Sequence, residues 1–512
     1  VQGLLPDLVA VEMPLRDELF NAEQMEQHGK HLALKHTLGE SEHRDRLLSR
    51  LDDNEQRLIS THTLLTKAVK SKLPIVPAGE WLLDNFYLID EQVRTARRHL
   101  PKDYSRELPR LAEGPSSGLP RVYDLALEII SHGDGRVDNE VLTLFVASYQ
   151  TVTPLLLGEL WAIPIMLRLA LIENLRRVSV RVAAARENVN LAQAWANKML
   201  EVAEKDPKSL VLIIADMARS NPPMESSFVA ELERCLQGHG SALSLPLTWI
   251  RQRLAESSLT IEQLVLAENQ QQAVDQVSVS NTIASLRHLG SMDWRDFIEA
   301  MSLVEQVLHQ DNSAVYSAMD FSSRDRYRHV VDVLAKRTPG FESTLAKAEI
   351  NVAQTAIDLA QSAAKKNGLH DHTAHVGYYL IDQGRSALEA TLGVQLSIVE
   401  RVGRWVRCVP LLVYLGSILL LTAMFSSALL IPAYRESMIG WQLILLSSLV
   451  VLAFSQLASA LVNWLVTLLV KPQLLPRMDY SQGLPPDQHT LVVIPTLLSS
   501  TQDIADLLAA LE

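Results

Sequence analysis

Two cysteines, Cys235 and Cys408, are all that 512 residues contain, which excludes a disulfide framework and suits a reducing compartment. Aromatic residues are scarce at 5%, and alternating β-branched runs are rare, which argues against a mainly β fold. Positive charge is short too: 47 Lys and Arg stand against 59 Asp and Glu, a net charge of −12. With no dense basic stripe anywhere, a nucleic-acid partner is not expected. The opening VQGLLPDLVAVEMPLRDELF has no basic segment ahead of an apolar core, so no secretory signal is expected. It also lacks an initiator Met, so the chain is expected to be a processed product or a piece of something longer. Gly-rich phosphate loops, a nucleophile elbow and zinc-protease spacings are all missing. Nothing in residues 1–470 reads as an active site.

The largest absence is local. No charged residue occurs between Arg407 and Arg435, and none between Glu436 and Lys471. Both runs exceed the roughly 20 apolar residues that cross a hydrocarbon core as a helix. Lipid offers the backbone no hydrogen-bond partners, so each should be α-helical. The residues from Arg435 to Gly440 leave room only for a tight turn, which makes a transmembrane hairpin of 401–471 with its flanks. Arg401, Arg404 and Arg407 precede it and Lys471 and Arg477 follow, while the tip carries Arg435 beside Glu436. Positive flanks stay cytoplasmic, so both chain ends should face the cytoplasm. Trp405 and Trp441 fall where indole rings settle at the interfaces. A buried core hairpin of a soluble protein is the weaker alternative, because soluble helices rarely run this long without a charge.

Residues 1–400 read as one cytoplasmic helical domain, because Leu, Ala, Glu, Gln and Arg dominate. Leu47, Leu48, Leu51, Leu58, Ile59, Leu65 and Val69 recur at helical spacing, which predicts a surface helix with one buried stripe. A second helix is expected over 78–99, with Trp81, Leu82, Phe86, Leu88 and Ile89 inward and Pro101 ending it. Pro and Gly punctuate 101–120, a loop that could separate two subdomains. Residues 141–172 are almost wholly apolar. Glu159 and Arg168 inside them make buried soluble helices a better expectation than a third span, and the two are expected to pair with each other. Breaks are expected near Asp206-Pro207, Asn221-Pro222-Pro223 and Gly238 to Gly240. Trp294, Phe297, Met301, Val304 and Leu308 mark one amphipathic helix. Ser322-x-x-Asp325 suggests a capping box opening another, with Tyr327, Val330, Val331 and Leu334 on its inner face. No fixed-period repeat is found, although helices of similar length leave a solenoid open.

Two clusters resemble sites and are better explained otherwise. His370, Asp371, His372 and His375 have metal-like spacing, but a polar loop with solvated or helix-capping imidazoles accounts for them more simply than a zinc centre. The same holds for His28, His31, His36 and His43. Asp320, Arg324, Asp325, Arg326, Arg328 and His329 alternate in sign, as at a salt-bridged helix start.

After the hairpin, 472–489 form a Pro-rich connector. Thr490 to Ile494, TLVVI, has the pattern of a buried strand, and Ser500-x-x-Asp503 would cap a helix through Leu511. A strand, loop and helix open an α/β domain, yet one βα unit cannot bury a core. The segment 490–512 is therefore expected to be a truncated domain start.

The connector and strand, LLPRMDYSQGLPPDQHTLVVIPTLL, resemble the start of the glycosyltransferase domain of cyclic β-1,2-glucan synthases. Upstream, GEWLLDNFYLIDEQVRTARRHLP, LPRVYDLALEIISHGDGRVD, GELWAIPIMLRLALIENLRR, MDWRDFIEAMSLVEQVLHQD, YSAMDFSSRDRYRHVV and HVGYYLIDQGRSALE look like blocks of that family's N-terminal region. The resemblance implies an inner-membrane, multi-pass enzyme. A helical region and membrane domain would join a processive transferase that uses UDP-glucose with a divalent metal, and a phosphorylase-like domain would trim chain length. The glucan product would be cyclised and delivered to the periplasm. It also implies that Thr490 to Ile494 begins an A-type transferase fold, with Pro495 and Thr496 near the uridine. The metal motif, catalytic base and acceptor segment would lie beyond Glu512, so no catalytic or metal residue is expected in this chain. The expected fold is mainly α, with a multi-helix domain, a membrane hairpin and the first βα unit of the transferase. The expected role is to anchor and position that transferase. A non-enzymatic membrane-anchored helical scaffold is the alternative.

Overall fold

In the computed structural model, residues 14–39, 46–100, 107–239, 243–339, 345–394, 409–435, 440–470 and 475–481 are described, with isolated positions elsewhere. The chain divides into two compact units. One comprises 1–306 with 343–350, and the other 307–342 with 351–512. Among the described residues the structure is mainly helical, with isolated β-bridges but no strand.

The first unit opens with α1 (Ala22–Lys35), whose start Asn21 and Gln24 secure by capping each other's backbone. Next come α2 (Leu47–Lys70), α3 (Pro77–Asp84) and α4 (Phe86–His99). The stripe on α2 is narrower than its leucines suggest. Leu47, Leu51, Leu58 and Leu65 are buried with Asn54 and Thr61 between them and Ala68 beyond, whereas Ile59 and Val69 are exposed. The single helix expected over 78–99 is broken at Asn85. Its side-chain amide donates to the Trp81 carbonyl, and its Oδ1 accepts from Arg287. An asparagine that competes for backbone partners is a natural place for a helix to stop and restart. The loop of 107–120 follows, within the same unit.

Beyond it lie α5 (Arg121–His132), α6 (Asn139–Gln150) and α7 (Leu157–Lys205). At about 1.5 Å per residue, the 49 residues of α7 extend roughly 74 Å. Its first half is the spine of the larger core, where Leu160, Met166, Leu167, Leu171, Ile172 and Leu175 are sealed from solvent by α2, α4 and α5. Pro164 lies inside the helix. The apolar stretch at 141–172 is thus α6, the turn around Pro154 and the buried start of α7, so it is packed inside the unit, as expected from Glu159 and Arg168 in preference to a third span.

The second half of α7 seeds a separate core with α8 (Leu210–Ser220), α9 (Ser226–Leu236) and α10 (Ser244–Ala255). The breaks fall where proline and glycine place them: Asn221 ends α8 in the left-handed region at φ 44°, ahead of Pro222 and Pro223. Helix α11 (Ile261–Ser291) returns along α7 and α9. The helix expected from Trp294 to Leu308 is two, α12 (Trp294–Met301) and α13 (Leu303–Leu308). Ser302 divides them, its hydroxyl accepting from the Glu305 amide as a new cap.

The second unit contains α14 (Phe321–Ala335), most of α15 (Leu345–Asn367), α16 (Val376–Ile381) and α17 (Arg385–Leu392). The hairpin follows as α18 (Pro410–Arg435) and α19 (Trp441–Leu469), which pack on each other. Arg401, Arg404, Trp405, Lys471, the strand at 490–494 and the cap at 500–503 lie outside the described residues.

Candidate functional site: the apolar hairpin and the connector seat

Helices α18 and α19 are long and apolar enough to cross a membrane, and only 11% of each hydrophobic window is buried. A core helix of a soluble domain would be mostly covered. Here Leu411, Leu419, Ile444, Leu452 and Leu468 are exposed. Several of the hairpin's hydroxyls bond within their own helix. The Ser417, Thr422 and Thr467 hydroxyls donate to carbonyls four residues back, and Ser447, Ser448 and Ser455 to carbonyls three back. These six hydroxyl protons are satisfied without water, as a lipid environment requires, while Ser426 Oγ is buried without a partner among the described residues. Between the helices, Tyr414 donates to Asn463 Oδ1 at 2.8 Å, and the rings of Phe425 and Phe454 stand 5.8 Å apart.

Residues 475–481 lie against the start of α14. The helix begins earlier than the Ser322-x-x-Asp325 pattern suggests: Asp320 is the cap, accepting from the Ser323 amide at 2.9 Å and from the Ser322 hydroxyl. Burial works against the Asp320 charge, but these donors outweigh it and hold its carboxyl below the usual range. The cap segment then binds the connector edge to edge. The Asp320 amide donates to the Arg477 carbonyl, the Arg477 amide to Ser323 Oγ and the Asp479 amide to the Ala318 carbonyl, at 2.8–2.9 Å. Met319 and Met478 form an antiparallel bridge at the centre. A cavity of about 110 Å³, lined by Ser323, Arg326, Tyr327, Pro476 and Arg477, closes the seat. Of the charges around the cap, Arg328 turns back to Asp325 at 3.3 Å.

Deeper in the same unit, Asp311 organises His375. Asp311 Oδ2 takes His375 Nδ1 at 2.8 Å and the Ser313 hydroxyl at 2.5 Å, and Oδ1 accepts from the Val376 amide. Burial opposes the Asp311 charge, and the bonds from His375 and Ser313 overcome it, leaving its pKa lowered. Tyr327 OH stands 3.4 Å from His375 Nε2, and burial pushes that phenol up to about 12. Serine and aspartate share one imidazole nitrogen, while the other faces a buried phenol. No nucleophile is activated by such an order; it clips the loop at 311–319 to the start of α16.

The four residues at 370–375 are not brought together. His372 is exposed beside Asp371 at 3.6 Å, and the local turn is capped by Asp371, not by an imidazole. Glu159 and Arg168 do not pair either. Nine residues apart, they project from opposite faces of α7. Glu159 instead receives Arg121 Nε at 2.6 Å and Nη2 at 2.5 Å, and Arg168 donates to Gln92 Oε1 at 2.7 Å. Among the N-terminal histidines, His36 binds Tyr149 and Asp124, His31 is exposed and His43 lies outside the described residues. His28 has a partner set that sequence reasoning missed, Glu128 and His132. The i,i+4 spacing of the last two on α5 was visible; the third, a hundred residues away, was not. Pro495 and Thr496 lie outside the described residues.

No protein-family profile matches the chain. Over 467 residues it is 30% identical to the cyclic beta-(1,2)-glucan synthase NdvB of Rhizobium meliloti (strain 1021). The alignment covers 90% of this chain and 16% of that protein. The resemblance read from the sequence blocks therefore extends over nearly the whole chain, which spans about a sixth of the length of the curated relative.

Proposed function

We propose that the chain is the membrane-anchored helical part of a cyclic β-1,2-glucan synthase. The supporting observation is the 467-residue alignment, which covers 90% of this chain. In this role α18 and α19 cross the bacterial inner membrane, with both ends of the chain cytoplasmic, and the seat on α14 receives the connector on its way to the transferase. Glucosyl transfer from UDP-glucose, with a divalent metal, belongs to the rest of the enzyme. Pro495 and Thr496 approach the uridine, since ligands of open α/β sheets bind beyond the carboxyl ends of the strands. The product is cyclised and delivered to the periplasm.

Two measurements test this role. Membranes carrying the coding sequence extended past Glu512 should incorporate glucose from UDP-glucose into a cyclic glucan, while the purified 512-residue chain should incorporate none. Incorporation by the purified chain, or a stop codon directly after Glu512, would overturn the division of labour. For topology, Ser437→Cys in a chain with Cys235→Ser and Cys408→Ser should react with an impermeant maleimide added from the periplasmic side. Labelling only from the cytoplasmic side would refute the hairpin orientation.

A further inference from the structure

In the first unit, three metal-capable side chains from two helices converge on one point. His28 Nε2 lies 2.8 Å and His132 Nε2 3.3 Å from the same carboxylate oxygen, Glu128 Oε2. Glu128 and His132 are four apart on α5 and share its face. His28 arrives from α1, which approaches closely because a Cβ on its neighbour Gly29 would collide with Ser148 Oγ and the Phe145 carbonyl of α6.

The surroundings fix the orientation of the imidazole. His132 Nδ1 donates to the Glu18 carbonyl at 2.6 Å, an acceptor that can only be served by an N–H. The chain is held there by two backbone bonds, Asp17 to Ser131 and Phe20 to His132. Phe20 stacks flat on His132, with ring centroids 3.8 Å apart, and meets His28 edge-on. In a neutral His132 with its proton on Nδ1, the Nε2 lone pair then faces a carboxylate oxygen. Two acceptors that close repel unless a cation lies between them. Ligating histidines characteristically donate their other nitrogen to a backbone carbonyl in this way.

We propose that His28, Glu128 and His132 form a three-ligand site for a divalent transition-metal ion of the zinc class. Two imidazoles and one carboxylate are a donor set that zinc accepts. Bonds of about 2.0–2.1 Å in a tetrahedron place donors roughly 3.3 Å apart; His132 Nε2 stands at 3.3 Å and His28 Nε2 at 2.8 Å from Glu128 Oε2, and all three donor atoms lie within 4.8 Å of one another. His132 also lines a cavity of about 330 Å³ with Phe20, Met25, Ile129, Arg136 and Val141. Bound there, the ion ties α1 and the segment before it to the end of α5. This inference is independent of the glucan assignment.

The test uses the full chain in detergent, stripped with chelator and titrated with zinc or cobalt alone. One ion per chain should survive gel filtration, cobalt should give the intense visible bands of a four-coordinate site, and zinc should raise the unfolding temperature. His132→Ala should abolish all three. Glu128→Gln, which keeps size and hydrogen bonding and so preserves the fold, should weaken binding at least about tenfold. His31→Ala and His372→Ala, on exposed histidines, should behave as the unaltered chain. A proton in place of the metal would show as no stoichiometric ion in the unaltered chain. That result, or zinc binding that survives both His28→Ala and Glu128→Gln unchanged, overturns the proposal.

Discussion

Glu159→Ala is expected to destabilise the first unit by about 3–5 kcal/mol, the usual cost of removing one partner from a buried ion pair. Both side chains are sealed, at 0% exposure for Glu159 and 2% for Arg121. The carboxylate takes the guanidinium through two bonds and also accepts the Leu156 amide at 2.9 Å, so it caps α7 as well. Burial works against the Arg121 charge, but Glu159 outweighs it and raises the guanidinium pKa. Without Glu159 that charge keeps, among the described residues, the Pro154 carbonyl at 2.9 Å and Tyr149. Arg121→Met combined with Glu159→Leu should recover a large part of the loss, since no buried charge is then left alone. The check is the urea midpoint of the chain in detergent, with amide exchange in α5 and α7 read alongside. A Glu159→Ala midpoint within error of the unaltered chain, or a double variant as weak as the sum of the singles, would contradict the pairing.

Such a pair was only half legible in the sequence. An acid and a base inside an apolar run announce burial, but their partners are set by which helices meet. Helical geometry alone rules out Glu159 with Arg168, whereas Arg121 and Gln92 lie on α5 and α4 and come into reach only through packing. Helix ends show the same division. Pro207, Pro222 and Pro223 act through their own backbone, so those breaks were visible. Asn85 and Ser302 mark helix breaks through side-chain hydrogen bonds, which depend on local geometry that residue type alone does not announce. At α14 the pattern pointed to Ser322 as the cap, whereas Asp320 is the cap, its carboxylate reaching the Ser323 amide while its own amide binds the connector. The hairpin was the most legible element, since composition alone specifies it. The connector seat was the least, because residues 318–323 and 477–479 are joined by backbone bonds that leave almost no trace in side-chain pattern.

Glu173 should make the first unit acid-sensitive in a defined window. It is 1% exposed, and its Oε1 receives Arg176 at 2.7 Å, Arg177 at 3.0 Å and Arg50 at 3.2 Å, while Oε2 receives Asn54 at 2.9 Å. Burial alone would push the carboxyl up; the three arginines and Asn54 overcome it and hold the pKa at about 2, against an ordinary 4.5. Because the folded value lies below the unfolded one, the stabilisation is fully present above about pH 4.5 and is lost as pH falls through about 2. A displacement of that size corresponds to roughly 3 kcal/mol. Glu173→Gln should forfeit about as much at neutral pH, or somewhat more, because three guanidinium groups then crowd a neutral amide. In exchange, its urea midpoint should fall less steeply than that of the unaltered chain between pH 4.5 and 2, so the two curves converge in acid. Curves that stay parallel through that window would show that Glu173 is not the group being titrated. Convergence would assign the acid limit of this unit to the one carboxylate through which α2 and α7 share their arginines.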